Sequence, residues 1–463
     1  LRHDARVLAW IVLGLLAAGL LALLVQAARR HLGREAVRAV RREFRSRIDR
    51  HKRTRPEAIR RELLADPEIA AAVQAHVESS GELPAQAWGR VHEYLHEIVP
   101  AFNLLSYYRL GYAVARALIP LFYKVSVGYE AREQLDAIPR DSVVLYLMNH
   151  RSNADYVVVA YVTSNRVAIS YAVGEWARIW PLEAVFKSFG SYFVRRRYRE
   201  PLYHAVLCRY VQLITRNGVT QGIFLEGGLS RDGRFRDPKI GLLDYLLQAK
   251  RDPAFTRPLT VVPVAINFDR VLEDRSLLRE LQSEEERLGR WEQAREVASY
   301  VVKVCLRFLT RRARRYGRAC VNFGAPLSVD AWLAQRPGVL ELPRTERLPQ
   351  VAEFATEVMG RIGAIMPVTS VALACSALLQ HRGDHISRER WESLLDDLRF
   401  VLRGADAHVI GEELDSPDIL DRALVMLTLR RVVTPDGDGF RIDRGEDLLI
   451  RYYANSIAHL LES

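Results

Sequence analysis

The chain has 463 residues, of which 49% are hydrophobic and 27% charged, and its formal net charge is +11. That balance excludes a largely disordered chain, and a mean hydropathy of -0.07 excludes a polytopic transporter. At roughly 150 residues per domain the length suggests two to four domains.

The first element is Val7 to Val25, an uncharged apolar run about as long as a bilayer helix needs. A secretory signal is the competing reading, with Ala27 and Ala28 as its small-residue pair, but the run is long for one. Arg29, Arg30, Arg34, Arg38, Arg41 and Arg42 follow it, against Arg2 and Arg6 before it. That asymmetry predicts that the bulk of the chain faces the cytoplasm. The chain opens on Leu1 rather than Met, which leaves room for residues upstream.

An Arg-rich helical stretch runs on to about Leu64, suited either to solvent or to an anionic lipid surface. Asp66-Pro67-Glu68 reads as a helix start, and Ser79-Ser80-Gly81 as a break. Phe102 to Val127 mixes aromatics with Arg109, Arg116 and Lys124. It suits an interfacial membrane segment or a packed helix pair broken near Pro120.

From about Gly128 short apolar runs alternate with helical stretches, which predicts an α/β domain. Ser142–Met148, Gly222–Leu225, Leu259–Ile266 and Gly317–Phe323 read as strands, and Asp155–Thr163 as a helix. Four motifs lie along this region. In the first, His150 and Asp155 follow a strand. On a continuous helix they would stand about 140° apart, so they meet only if the chain turns between them. Asp155 then orients the imidazole and stabilises its protonated form, while the nucleophile comes from the substrate. Such a spacing recurs by chance and does not define a site alone.

The second motif, Gly190-Ser191-Tyr192-Phe193-Val194-Arg195-Arg196-Arg197, carries guanidinium forks suited to an anion, or to an ordinary basic surface. The third, Phe224-Leu225-Glu226-Gly227-Gly228-Leu229-Ser230-Arg231, places glycine N–H groups at a strand end, followed by Arg234, Arg236 and Lys239. Those N–H groups suit an anion or oxyanion, although a plain turn reads the same. No Walker loop is present, which disfavours nucleotide hydrolysis. The fourth is the apolar strand around Pro263, where proline predicts an edge or a bulge and a wall of the pocket.

Leu277 to Arg314 reads as a charged, coiled-coil-like helix. Beyond about residue 336 the chain is helical, with a small hairpin at Val432–Ile442. The expected organisation is therefore a membrane anchor over 1–30 and a helical membrane-associated region over 31–127. An α/β domain over 128–335 and a separate helical domain over 336–463 follow. Cys208, Cys305, Cys320 and Cys375 stand far apart, which argues against a disulfide framework or structural zinc and fits a reducing compartment.

In this order the four blocks resemble the glycerolipid acyltransferase family, with its HX4D, GxxFxxR, FxEGxxSR and Pro-containing strand motifs. From about residue 100 onward the chain is similar to the bacterial membrane-bound glycerol-3-phosphate acyltransferases. Asp232–Lys239, Tyr316–Pro326 and Tyr452–His459 extend the likeness. The resemblance implies an acyltransferase domain with a mixed sheet flanked by helices. It implies transfer of a fatty acyl group from acyl-CoA or acyl-carrier protein to the sn-1 hydroxyl of glycerol 3-phosphate, giving lysophosphatidate. By the same analogy His150 is the general base and Asp155 orients it. Arg196 and Arg231 hold the phosphate, with Lys239 a weaker candidate. Gly190, Phe193, Glu226, Gly227, Ser230 and Pro263 belong to the substrate-binding blocks.

No cofactor or metal is expected, since a thioester needs base and positioning rather than a Lewis acid. The expected location is the inner (cytoplasmic) membrane, the catalytic domain facing the cytoplasm and contacting phospholipid. No nucleic-acid motif appears. Three rival readings are an acyltransferase acting on dihydroxyacetone phosphate or lysophosphatidate, a phosphate-ester or thioester hydrolase, and a non-enzymatic basic membrane protein.

Overall fold

The computed structural model describes residues 56–100, 119–120, 122–163, 169–174, 191–195, 198–282, 317–411 and 413–462. The expected span at Val7–Val25, the Arg-rich arm before residue 56 and most of Phe102–Val127 lie outside the described residues. So do Gly190, Arg196, Arg197 and residues 283–314 of the expected long helix. Among the described residues no helix is long and apolar enough to cross a membrane.

Three helices come first: α1 (Pro56–Leu64), α2 (Pro67–Ser80) and α3 (Pro84–Ile98). The expected start of α2 is present: the Asp66 carboxylate accepts the Glu68 N–H at 2.9 Å, and Pro67 fills the first turn. Gly81 ends the helix in the left-handed conformation, where a side chain is strained. Ile69, Val73, Val91 and Leu95 are buried on the inner faces of α2 and α3, which pack against a later helix of the α/β domain.

The α/β domain is built on β1 (Lys124–Tyr129), β2 (Val143–Met148), β3 (Ser170–Gly174), β4 (Tyr192–Val194), β5 (Gln221–Phe224), β6 (Leu259–Phe268), β7 (Arg318–Phe323) and β8 (Leu327–Ser328). They join in one sheet of order β1-β7-β6-β2-β5-β3-β4, with β8 beside β6. β6 runs parallel to β2 and antiparallel to β7 and β8, so the sheet is mixed as expected. Helices α4 (Asp155–Thr163) and α5 (Pro201–Arg216) connect strands, and α6 (Asp274–Gln282) follows β6.

Two expectations need correction here. Lys124–Val127 is not helical; it forms β1, in register with Arg318–Val321 of β7. Pro263 lies on neither an edge nor a bulge. It pairs with Leu147 of β2 in the middle of the sheet. The proline is tolerated because β6 changes antiparallel partners there, from β8 at Thr260–Val261 to β7 at Val264–Phe268. Its carbonyl accepts the Gly324 N–H on that side at 2.9 Å, so the missing N–H falls in the gap between the two partners.

The C-terminal region contains α7 (Arg344–Ala364), α8 (Ser370–Gln380), α9 (Arg388–Gly404), α10 (Ser416–Leu429) and α11 (Asp447–Ala454). The expected hairpin is β10 (Val433–Asp436) with β11 (Gly439–Ile442), and a further strand, β9 (His385–Ser387), joins β11. Gly437 supplies the positive φ that the tight turn needs. This region packs directly against the sheet. Its buried side chains are continuous with those of the sheet. Polar contacts also cross the boundary: Arg347 meets Asp244 at 2.7 Å, the Asn267 amide donates to the Pro367 carbonyl at 2.9 Å, and Asn322 donates to the Ile365 carbonyl at 2.8 Å.

Candidate active site

Strands β2 and β5 are parallel neighbours, with Met148 opposite Phe224 at their carboxyl ends. The two most specific motifs therefore leave the sheet side by side. Asn149 prolongs the strand pairing with its side chain: its amide donates to the Ile266 carbonyl at 2.9 Å and accepts the Ile266 N–H at 2.7 Å. His150 follows, held by the other loop on both faces of its peptide. Its N–H donates to Glu226 Oε1 at 2.9 Å, and its carbonyl accepts the Ser230 N–H at 3.1 Å.

The chain then turns through Ser152 and Asn153 and enters α4 at Asp155. This is the bend that five-residue spacing requires. Asp155 Oδ2 accepts the Arg151 N–H at 2.7 Å and the Ser152 N–H at 3.0 Å. The same oxygen lies 2.8 Å from His150 Nδ1. A carboxylate in the first turn of a helix is also favoured by the helix dipole. Both partners are almost wholly buried, His150 at 1% and Asp155 at 0% exposure. The imidazole stacks on Phe224 with centroids 4.0 Å apart and meets the edge of Tyr156 at 5.5 Å. The ring is thus fixed in plane by aromatic walls and in rotation by Asp155. A histidine whose Nδ1 is held by a carboxylate has the geometry of a general base working through Nε2.

The remaining predicted residues divide. Glu226 is buried and bonded on both oxygens, since Oε2 accepts the Arg236 N–H at 3.1 Å. Burial pushes its carboxyl up to about 7, against the opposing pull of Arg151 and the two N–H donors. Ser230 is equally occupied: its hydroxyl donates to the Arg234 carbonyl at 2.6 Å and accepts the Gly233 N–H at 3.1 Å. Both side chains therefore shape the loop beneath His150 rather than present open polar atoms. Gly227 has a positive φ, and a Cβ there would stand 2.7 Å from Lys239 Cγ. Phe193 is fully buried in the core of β4, and Pro263 lies within the sheet.

The basic groups lie at the rim. Arg231 pairs with Glu280 of α6 at 3.1 Å and stays about a third exposed. Arg236 and Lys239 are exposed. Arg195, the first arginine of its run, does not face outward as a simple anion ligand. It makes a bidentate contact with Glu97 of α3, 2.6 Å at the shortest, and sits against the rings of Tyr94, Tyr198 and Tyr203.

Three site residues escaped the sequence reading. Arg151 is buried; its guanidinium donates to the Gly233 carbonyl and, at 3.4 Å, to the Ser456 carbonyl. Glu273 accepts the Ser152 hydroxyl at 2.7 Å and the Asn153 N–H at 3.2 Å. Asp274 accepts the Tyr453 hydroxyl at 2.7 Å and pairs with Arg430 at 2.6 Å. Arg151 lies between His150 and Asp155 but carries no periodic signal. Glu273 and Asp274 stand more than a hundred residues from His150 and come near it only because β6 is the neighbour of β2. Among the described residues no group of three or more His, Cys, Asp or Glu is placed to hold a metal ion.

A carboxylate-oriented histidine at the carboxyl end of an inner strand of a mixed sheet is an arrangement able to carry out base-assisted chemistry. Residues 131–267 match the acyltransferase family model. Residues 302–462 match the model described as the glycerol-3-phosphate acyltransferase C-terminal region. Among relatives, the glycerol-3-phosphate acyltransferase of Aeromonas hydrophila is 28% identical over 412 residues, covering 86% of this chain and 49% of that protein. That of Haemophilus influenzae is 29% identical over 329 residues, covering 68% of this chain and 39% of that protein. The chain therefore spans about half the length, or less, of the relatives it matches. A solved structure, the 1-acyl-sn-glycerophosphate acyltransferase of Thermotoga maritima, aligns with 55% of this chain and 79% of that one. Its identity is 18% and its TM-score 0.29, too low to bear on the site.

Proposed function

We propose that the protein is a glycerol-3-phosphate 1-O-acyltransferase. The observation that carries the chemistry is the 2.8 Å contact between His150 Nδ1 and Asp155 at the end of β2. The match of residues 302–462 carries the choice of acceptor. Nε2 of His150 removes the proton of the C1 hydroxyl as that oxygen attacks the thioester carbonyl. Asp155 stabilises the imidazolium that forms. The tetrahedral intermediate collapses by breaking the carbon–sulfur bond, and the imidazolium returns its proton to the departing thiolate. Lysophosphatidate and a free thiol leave, and no cofactor enters the balance.

Arg231, Arg236 and Lys239, with Arg196 next to the tyrosine-lined Arg195, would receive the phosphate. A net charge of +11 favours encounter with glycerol phosphate and with acyl-CoA or acyl-carrier protein, all of them anionic. Action at the cytoplasmic face of the inner membrane would pass the amphiphilic product directly into the bilayer. The test is to incubate the purified protein with palmitoyl-CoA, or an acyl-carrier-protein thioester, and labelled glycerol 3-phosphate, alongside His150→Ala. Lysophosphatidate formation should fall by roughly 10²–10⁴-fold in the variant. Equal product from both proteins would remove His150 as base. A preference for lysophosphatidate as acceptor would overturn the substrate assignment.

A further inference from the structure

We propose that Glu273 is a positioning residue for the His150–Asp155 pair, and that the C-terminal helices set it in place through Asp274. The inference rests on the acyl-transfer reading of the site but concerns groups outside its motifs.

Ser152 and Asn153, in the turn between His150 and Asp155, belong to no strand or helix. Asp155 takes the N–H groups of Arg151 and Ser152 from inside the turn. Glu273 takes the next two donors from outside it. Oε2 accepts the Ser152 hydroxyl at 2.7 Å, and Oε1 accepts the Asn153 N–H at 3.2 Å. The Ser152 hydroxyl oxygen in turn accepts the Ala154 N–H at 3.1 Å. One carboxylate thus closes the turn that brings Asp155 onto the ring.

Glu273 owes its own place to the residue after it. Asp274 opens α6 and is nearly sealed from solvent. One of its oxygens accepts the Tyr453 hydroxyl from α11, and the other pairs with Arg430 at the end of α10. The Tyr453 oxygen also accepts the Val271 N–H at 3.2 Å, so it grips the chain on both sides of Glu273. A second tie runs parallel: Arg151, next to His150, donates to the carbonyls of Gly233 and Ser456. Asn455 donates to the Asp232 carbonyl at 2.8 Å. The C-terminal helices therefore reach the turn from two sides without supplying a group to the chemistry.

The test compares Glu273→Ala, Glu273→Gln, Ser152→Ala and Tyr453→Phe in full-length protein. Glutamine keeps an acceptor for Asn153 and can donate its amide to the serine oxygen, so it should restore most of what alanine loses. Misplacement of a catalytic group by about 1 Å can cost about 100-fold in rate. Glu273→Ala should therefore lower kcat by about that factor, with KM for glycerol 3-phosphate and palmitoyl-CoA unchanged within about threefold. Tyr453→Phe and Ser152→Ala should show smaller losses of the same kind. Hydrogen exchange of a peptide spanning residues 149–158 provides a readout independent of turnover. It should accelerate in Glu273→Ala and Tyr453→Phe and stay slow in Glu273→Gln.

Unchanged kcat and slow exchange in Glu273→Ala would overturn the proposal. So would an equal loss in alanine and glutamine variants, or a rise in KM that accounts for the whole effect. If wild type makes no lysophosphatidate, the acyl-transfer reading fails, and the exchange data still decide whether Glu273 holds the turn.

Discussion

At the residue scale, the HX4D turn is a small structure whose backbone donors converge on one carboxylate oxygen. Asp155 Oδ2 serves two N–H groups and the ring together, so the orientation of the imidazole is set by hydrogen bonds within the protein. Gly233 is the residue where a single methyl group would do most harm. Its φ is +87°, and a Cβ there would press into the Tyr452 carbonyl oxygen, well inside contact distance. Gly233→Ala should therefore be costly twice over: by backbone strain, and by pushing α11 away from the loop that Arg151 grips. We expect a loss of more than about 1 kcal/mol, read from a urea midpoint, together with reduced turnover. An alanine variant with wild-type midpoint and rate would show that the close approach of α11 is dispensable.

At the element scale, α3 and β4 are joined by Glu97 and Arg195. Glu97 is buried, and Arg195 retains 24% exposure among three tyrosine rings. The carboxylate raises the guanidinium's affinity for its proton, and the Arg195 N–H also donates to the Tyr203 hydroxyl at 2.9 Å. Removing one member of a buried pair costs about 3–5 kcal/mol, and partial exposure lowers that toward 2. Glu97→Ala should destabilise the protein by about 2–3 kcal/mol, measured by urea unfolding. Replacing Arg195 as well, by methionine, should recover part of the loss. A double variant weaker than the single one would mean that the arginine is held by the tyrosine rings rather than by Glu97.

At the scale of the whole molecule, the site holds two carboxyl groups that resist ionisation. Burial pushes Glu226 and Glu273 up to about 7, from an ordinary value of 4.5, and nearby Asp155 adds to the shift of Glu273. In this window the native state binds more protons than the unfolded chain, so stability falls as pH rises from about 4.5 to 7 and levels off above it. Urea midpoints at pH 5 and pH 7.5 should drop in wild type, and drop less in Glu273→Gln, which has no proton to lose there. Equal drops in both proteins would assign the effect to other groups.

The order and kind of the central elements were legible before the structure. Buried strands are runs of Val, Ile and Leu, as in Val143–Met148, and such runs are local. The His150–Asp155 pair was legible too, because a strand-to-helix turn is a local event and a five-residue spacing forces it. Short strands such as Tyr192–Val194, and β1 within an aromatic-rich stretch, were not. Their pairing partners lie far away in sequence, and a few residues carry no period.

The sequence by itself determined the groups of the candidate site: a histidine and a carboxylate at a strand end, a glycine turn beside them, and basic residues following. Those signals are short-range, since each needs only neighbouring residues to have meaning. Tertiary structure alone decided the use of each polar group. It turned Glu226 and Ser230 into supports of the loop and spent Arg195 on Glu97. It also drew Glu273 and the C-terminal helices up to the catalytic turn. The reason is strand order: placing β6 beside β2 brings residues more than a hundred positions apart within hydrogen-bonding distance, and no local pattern records that choice.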